Sequence, residues 1–130
     1  MKRAQLLIQL SREHHTALVL AKHARALEAD TVSQFLRDFK ERWNNELVPH
    51  FAEEERTLLP ALQTAGETAL TERLLSDHQQ LRALSQRLID GEIGAGEPFG
   101  TLLAEHVRFE ERELFPCYET LLATHNGYPP

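Results

Sequence analysis

One pattern occurs twice in this chain, and its spacing is that of an amphipathic helix. It reads His-x-x-x-Glu-Glu-Arg-x-Leu-[Leu/Phe]-Pro and occupies residues 50–60 and 106–116. Residues four apart lie on one face of a helix, one turn along. Each copy therefore directs an imidazole and a carboxylate to one place. The resulting pairs are His50 with Glu54, and His106 with Glu110.

A further histidine, directly preceded by an acidic residue, stands ahead of each copy. These pairs are Glu13-His14 and Asp77-His78, each within an apolar stripe at helical spacing. In an up-and-down bundle, residues equidistant from a turn lie at one level, so the midpoints between successive histidines should fall at turns. The midpoints are Val32, Thr64 and Glu92.

All three midpoints lie in or beside predicted turns. A capping-box pattern begins at Thr31 and reaches Gln34, Gly66 is a predicted helix stop, and the Gly-rich run 90–98 interrupts the apolar periodicity. The four histidines are therefore predicted to share one layer. The predicted fold is all-α, an up-and-down antiparallel four-helix bundle formed by a single domain over residues 1–130.

The apolar spacing also predicts the extent of each helix. The predicted ranges are about 3–29, 31–63, 67–89 and 98–124. Pro49 is expected to kink the second helix beside His50, or alternatively to begin a second helical segment. Pro60 and Pro116 have the same offset in the two copies and are expected to kink or tighten their helices. The tail 125–130 is expected to be disordered.

Charge and cysteine content exclude several classes of function. The formal net charge of -6 argues against nucleic-acid binding and against anionic membranes, because there is no basic face to meet phosphates. The single cysteine, Cys117, cannot form an internal disulfide, which favours a reducing, cytoplasmic location. The apolar run after Met1 is too short for a signal peptide, and no stretch has the length of a transmembrane span.

Buried imidazoles and carboxylates are costly unless they are paired or bind a metal. One His-x-x-x-Glu pair is most often a solvated pair on a helix surface, but that does not explain two matching copies on apolar stripes. Imidazole and carboxylate ligands suit iron, zinc or manganese. The predicted metal ligands are His14, His50, Glu54, His78, His106 and Glu110.

Two of these positions have competitors. His15 competes with His14, which is preferred because Leu10, Ala17 and Leu18 share its face. Glu111 competes with Glu110, which is preferred because it matches Glu54 in the first copy. The remaining histidines, His15, His23 and His125, are expected at the surface or behind the ligands; Glu53, Glu55 and Glu111 are expected to be solvated, and Cys117 to be a packing residue.

These motifs resemble the hemerythrin-like family, also called the HHE cation-binding domain, over about residues 7–122. The resemblance implies two iron ions bridged by carboxylates and by an oxo or hydroxo group, with dioxygen or nitric oxide as the small ligand. Zinc or another divalent metal is an alternative occupant. The oxygen carriers of the family have a second histidine on the third helix, where this chain has Leu74 and Arg82. The chain is in this respect more similar to iron- and oxygen-sensing members.

The resulting expectation is a non-enzymatic di-iron protein that binds or senses dioxygen, nitric oxide or iron. One alternative is a di-iron oxidase or peroxidase, which the lack of an inward Glu-x-x-His motif disfavours. The other is a helical interaction module that needs no metal. The metal content and colour of the purified protein distinguish these possibilities.

Overall fold

Four long helices joined by short turns make up residues 4–28 and 30–124, the part of the chain that the computed structural model describes. The elements in order are α1 (Gln5–Arg25), α2 (Val32–Arg42), a π-helical turn (Trp43–Leu47), α3 (Val48–Thr64), α4 (Thr68–Ile89), a 3-10 turn (Ile93–Ala95), α5 (Gly96–Phe109), a second π-helical turn (Glu110–Leu114) and α6 (Phe115–Thr124). The second long helix comprises α2, the first π turn and α3; the fourth comprises α5, the second π turn and α6. The predicted all-α four-helix bundle is confirmed.

The helix ends differ from the predictions in places. The first helix ends at Arg25, before the predicted position near residue 29, which lies outside the described residues, as do residues 1–3 and the tail 125–130. The capping box predicted at Thr31 does not form: the Thr31 hydroxyl makes no bond to the start of α2 and instead bonds to the backbone N–H and carbonyl oxygen of Glu28, each at 3.2 Å. Gly66 ends the second long helix as predicted, with a φ of 76° that favours glycine.

Both π turns end two residues before a proline. Leu47 precedes Pro49 in this way, and Leu114 precedes Pro116. A proline inside an α-helix has no N–H to donate and its ring clashes with the carbonyl four residues earlier, and a wider turn relieves that clash. The second and fourth long helices therefore continue past these prolines. In place of a kink, a π turn precedes Pro49, and α3 begins at Val48 with this proline in its first turn, in agreement with the alternative prediction of a second helical segment. Pro60 lies within α3 without a π turn.

A polar layer containing the four histidines lies between two apolar clusters. The aromatic cluster contains Phe35, Phe39, Trp43, Phe51 and Phe99 with buried Leu and Ala residues from all four long helices. The leucine cluster contains Leu7, Leu10, Leu58, Leu62, Leu74, Phe109, Leu114 and Phe115. Leu18, predicted on the inner stripe of α1, is 41% exposed, and Leu20 is buried instead. No described helix is both long and apolar enough to cross a membrane.

Two glycines let α5 pack closely against α1. A Cβ atom on Gly96 would lie 2.5 Å from the carbonyl oxygen of Ala24, and one on Gly100 would lie 2.5 Å from that of Ala21. Real Cβ atoms do not approach so closely, so both positions require glycine for this packing. The close approach helps to place His14 of α1 against the fourth long helix.

Candidate metal centre

The structure brings all six predicted ligands together in the polar layer. Each of these residues is 4% exposed or less. They form two groups, and within each group one donor atom per residue lies within 4.8 Å of the others. The groups are His14, His50, Glu54 and Glu110, and Glu54, His78, His106 and Glu110. Two neighbouring metal positions would therefore share the two glutamates.

The layer has an approximate twofold arrangement. Glu54 lies 3.2 Å from Nε2 of His50 on its own helix and 3.0 Å from Nε2 of His78. Glu110 in the same way lies 3.2 Å from Nε2 of His106 and 2.7 Å from Nε2 of His14. Each carboxylate thus contacts one histidine of each group, which is the arrangement that a bridging ligand requires.

The other nitrogen of each imidazole also faces a carboxylate. With Nδ1–H as the donor, the pairs are His14 with Glu111 at 2.7 Å, His50 with Glu13 at 2.7 Å, His78 with Glu55 at 2.6 Å and His106 with Asp77 at 2.8 Å. A donated Nδ1–H fixes the tautomer, so that the Nε2 lone pair faces the centre of the layer.

The sequence does not predict the role of these four outer carboxylates. The acidic-His pairs are visible in it, but not that their acidic members bond to histidines of other helices. The prediction that Glu55 and Glu111 are solvated is wrong, because both are half-buried and bond to histidines. The signal available in the sequence is that an acidic residue directly follows the candidate ligand glutamate in both copies of the repeat.

Poorly satisfied buried atoms indicate that a cation fits this site. Oε2 of Glu54 lies 3.2 Å from Nε2 of His50, and Oε2 of Glu110 lies 3.2 Å from Nε2 of His106, but neither contact has the alignment of a hydrogen bond. Incomplete pairing of buried polar atoms costs free energy, and bound metal would supply a better partner. Two imidazoles and two shared carboxylates form a nitrogen and oxygen donor set that suits iron, zinc or manganese.

Without metal, burial and neighbouring charges shift the pKa values of two histidines and both shared glutamates in the layer. Burial lowers the pKa of His50, but hydrogen bonds and charge from Glu110 and Glu54 outweigh it and raise the pKa to about 11. Burial likewise lowers the pKa of His106, and Glu110 and Asp77 raise it to about 10. Burial and the charge of Glu110 raise the pKa of Glu54. Burial would raise the pKa of Glu110 too, but the charge of His106 and nearby hydrogen bonds hold it well below its usual range.

Of the two competing residues, Glu111 bonds to His14 at the edge of the layer, whereas His15 lies away from it. His15 is exposed, about 100° around α1 from His14. His23 lines a cavity of about 530 Å³ between α1 and α2. Glu53 pairs with Arg56 on the surface of α3. Cys117 packs against the leucine cluster as a partly buried residue, as predicted. His125 lies outside the described residues.

Comparison with known proteins agrees with this geometry. Searches of curated proteins and of solved structures each find no match. The family model described as the hemerythrin HHE cation-binding domain matches residues 6–118, which is most of the chain. The match includes all four histidines and both glutamates of the polar layer. The chain therefore belongs to the hemerythrin HHE cation-binding domain family.

Proposed function

We propose that this domain is a non-heme di-iron protein that binds or senses dioxygen, nitric oxide or iron itself. The observation that carries the proposal is the pair of donor groups that share Glu54 and Glu110. His14 and His50 would hold one iron, and His78 and His106 the other. A ferrous pair in this site would supply the electrons that a reducible small ligand takes up.

The walls of the layer favour a ligand of few atoms. Phe51 stacks on His78 with 4.3 Å between ring centroids, and Phe115 stacks on His14 at 5.4 Å. Both phenylalanines are almost fully buried, so they keep water from the candidate ligands. A small diatomic molecule can enter such a layer with local side-chain motion, whereas an organic substrate would require the helices to separate.

Two other functions make different predictions. A di-iron oxidase or peroxidase would consume its reductant over many turnovers. A carrier would instead retain the small ligand, and a sensor would change its state only once per exposure. A metal-free interaction module would fold and bind its partner without iron. A cytoplasmic location remains a prediction from the composition.

Anaerobic reconstitution with Fe²⁺ tests the proposal. We expect about two irons per chain, because the layer has two donor groups. Exposure of the loaded protein to air or nitric oxide should then change its optical spectrum. A stoichiometry near one, or a clear preference for zinc in competition, contradicts the di-iron assignment; sustained consumption of a reductant would support the enzyme instead.

Replacement of a shared glutamate should have the most severe effect on metal content. Glu54→Ala or Glu110→Ala should lose both irons together, since each carboxylate serves both positions. Glu53→Ala is the matched control, because Glu53 is adjacent in sequence but pairs with Arg56 at the surface. Circular dichroism would establish that the variants fold. Retention of one firmly bound iron by a folded Glu54→Ala protein would show that the glutamate does not bridge.

A further inference from the structure

The two halves of the layer differ in what supports their outer carboxylates. Glu13 and Asp77 occupy equivalent places, each before a histidine and each bonded to Nδ1 of a histidine on the following long helix. The residue four positions earlier is Gln9 for Glu13 and Arg73 for Asp77. One carboxylate therefore receives a neutral amide where its equivalent receives a cation.

On the side of His78 and His106, arginines share the oxygens that the imidazoles use. Oδ2 of Asp77 accepts from Nδ1 of His106 at 2.8 Å and from Nε of Arg73 at 3.4 Å. Oε2 of Glu55 lies 2.6 Å from Nδ1 of His78 and 3.0 Å from Nη2 of Arg82. An arginine at the accepting oxygen offsets the carboxylate charge and weakens its pull on the imidazole proton.

On the side of His50, the carboxylate keeps its charge. Oε1 of Glu13 accepts from His50, while Oε2 accepts from the amide of Gln9 at 3.0 Å. Within the described residues, Glu13 forms no ion pair with an arginine or lysine. Glu13 therefore accepts the Nδ1–H of His50 more strongly than Asp77 accepts the Nδ1–H of His106. For this reason the imidazole of His50 donates electrons to a bound cation more strongly than the imidazole of His106.

We propose that the two metal positions are inequivalent and that Arg73, which bonds the carboxylate equivalent to Glu13, sets the difference. The position at His14 and His50 binds a divalent ion first and more tightly, and the position at His78 and His106 is weaker and exchanges its ion more readily. This inference rests on the proposed two-metal function. The arginine side chain is nearly half exposed, so solvent screens its charge. Changes behind a ligand typically alter metal affinity about 10- to 100-fold, and we expect the lower end.

Anaerobic titration of the full chain with Co²⁺ as a spectroscopic substitute for Fe²⁺ tests this order. The wild type should show two binding events that differ in affinity by about tenfold. Arg73→Gln gives Asp77 the partner type that Glu13 has, and it should strengthen the second event several-fold without changing the first. Gln9→Arg should weaken the first event. Arg73→Lys keeps the positive charge and should resemble the wild type.

Arg108→Gln is the matched control, since Arg108 borders the same surface cleft beside Phe109 but is not bonded to Asp77. Two further variants assign each binding event to a position, because His106→Ala and His50→Ala each leave one complete histidine pair. The His106→Ala protein, which keeps His14 and His50, should bind its single Co²⁺ more tightly than the His50→Ala protein. The inference is overturned if the wild type binds both Co²⁺ ions with equal affinity, or if Arg73→Gln binds the second ion more weakly than the wild type does. Either result leaves the two-metal function intact. A wild-type stoichiometry below two would instead contradict the proposed function itself.

Discussion

The aromatic cluster and the polar layer are both buried, but they contribute to the fold in opposite ways. In the aromatic cluster, Phe39, Trp43 and Phe99 contact one another with ring centroids 5.2 to 6.0 Å apart, and burial of such rings stabilises the bundle. The polar layer buries the six candidate ligands, and burial of ionisable side chains costs free energy unless they are paired or bind metal. The apolar clusters therefore hold the helices in place, and they thereby hold the candidate ligands in a geometry that is costly by itself.

The largest effect on stability should follow from damage to the aromatic cluster. Phe39 is fully buried, and Phe39→Ala should lower the free energy of unfolding by about 3–5 kcal/mol. Chemical denaturation of the metal-free protein would measure this. The iron stoichiometry of the folded variant should not change, because Phe39 contacts other rings of the cluster. A folded Phe39→Ala protein that binds no iron would show that the two regions are not separable.

Removal of metal should have the next largest effect. Metal bound only by the folded state stabilises it by about 2.7 kcal/mol when free metal is a hundredfold above the dissociation constant. Chelation should therefore lower the melting temperature, while circular dichroism still shows a helical protein because the two apolar clusters remain. An unchanged melting temperature after verified removal of metal would mean that the histidines are not ligands.

The metal-free and metal-bound proteins should respond differently to pH. The pKa of His50 is about 11 when folded against a usual 6.5, so protonated His50 stabilises the metal-free fold fully below pH 6.5, and this contribution is lost as the pH rises through about 11. A metal binds neutral imidazole, so binding must release this proton. Metal affinity should therefore rise about tenfold per pH unit for each proton released between about pH 6 and 8.

Proton uptake or release during metal titration measures this directly. Calorimetry in buffers of different ionisation enthalpy gives the number of protons displaced per metal. The count should be at least one, and it should fall in a folded His50→Ala variant. A metal affinity that is independent of pH would show that the imidazoles are already neutral.

Much of the bundle could be predicted from the sequence because its helices follow a regular apolar period. Phe35, Phe39, Trp43 and Leu47 recur every fourth residue, as an inward helix face requires, and all four are buried. The turns near Gly66 and Gly91 lie where the spacing of the histidines requires them. The helical period also distinguishes His14 from His15, whose side chains lie on different faces of α1. Local periodicity determines such features, so a single chain reveals them.

The features that were missed depend on contacts between helices or on backbone shifts. Glu111 reaches His14 from another long helix, and Glu55 reaches His78 in the same way, so no local pattern showed that they are paired. The π turns before Pro49 and Pro116 depend on how a helix accommodates a proline, and a kink was the simpler expectation. Leu18 and Leu20 are close in sequence, and only packing against the neighbouring helices determines which is buried.

The smallest expected effect belongs to His15, and it tests the ligand choice on α1. His15→Ala should change stability by less than about 0.5 kcal/mol and leave the iron content unchanged, because the side chain is exposed. His14→Ala should instead lose the ion held by His14 and His50, since His14 is buried 2.7 Å from Glu110. Iron analysis of the two variants after identical anaerobic reconstitution makes the comparison. Loss of iron in His15→Ala with full occupancy in His14→Ala would reverse the assignment and require α1 to turn by about 100° in the loaded protein.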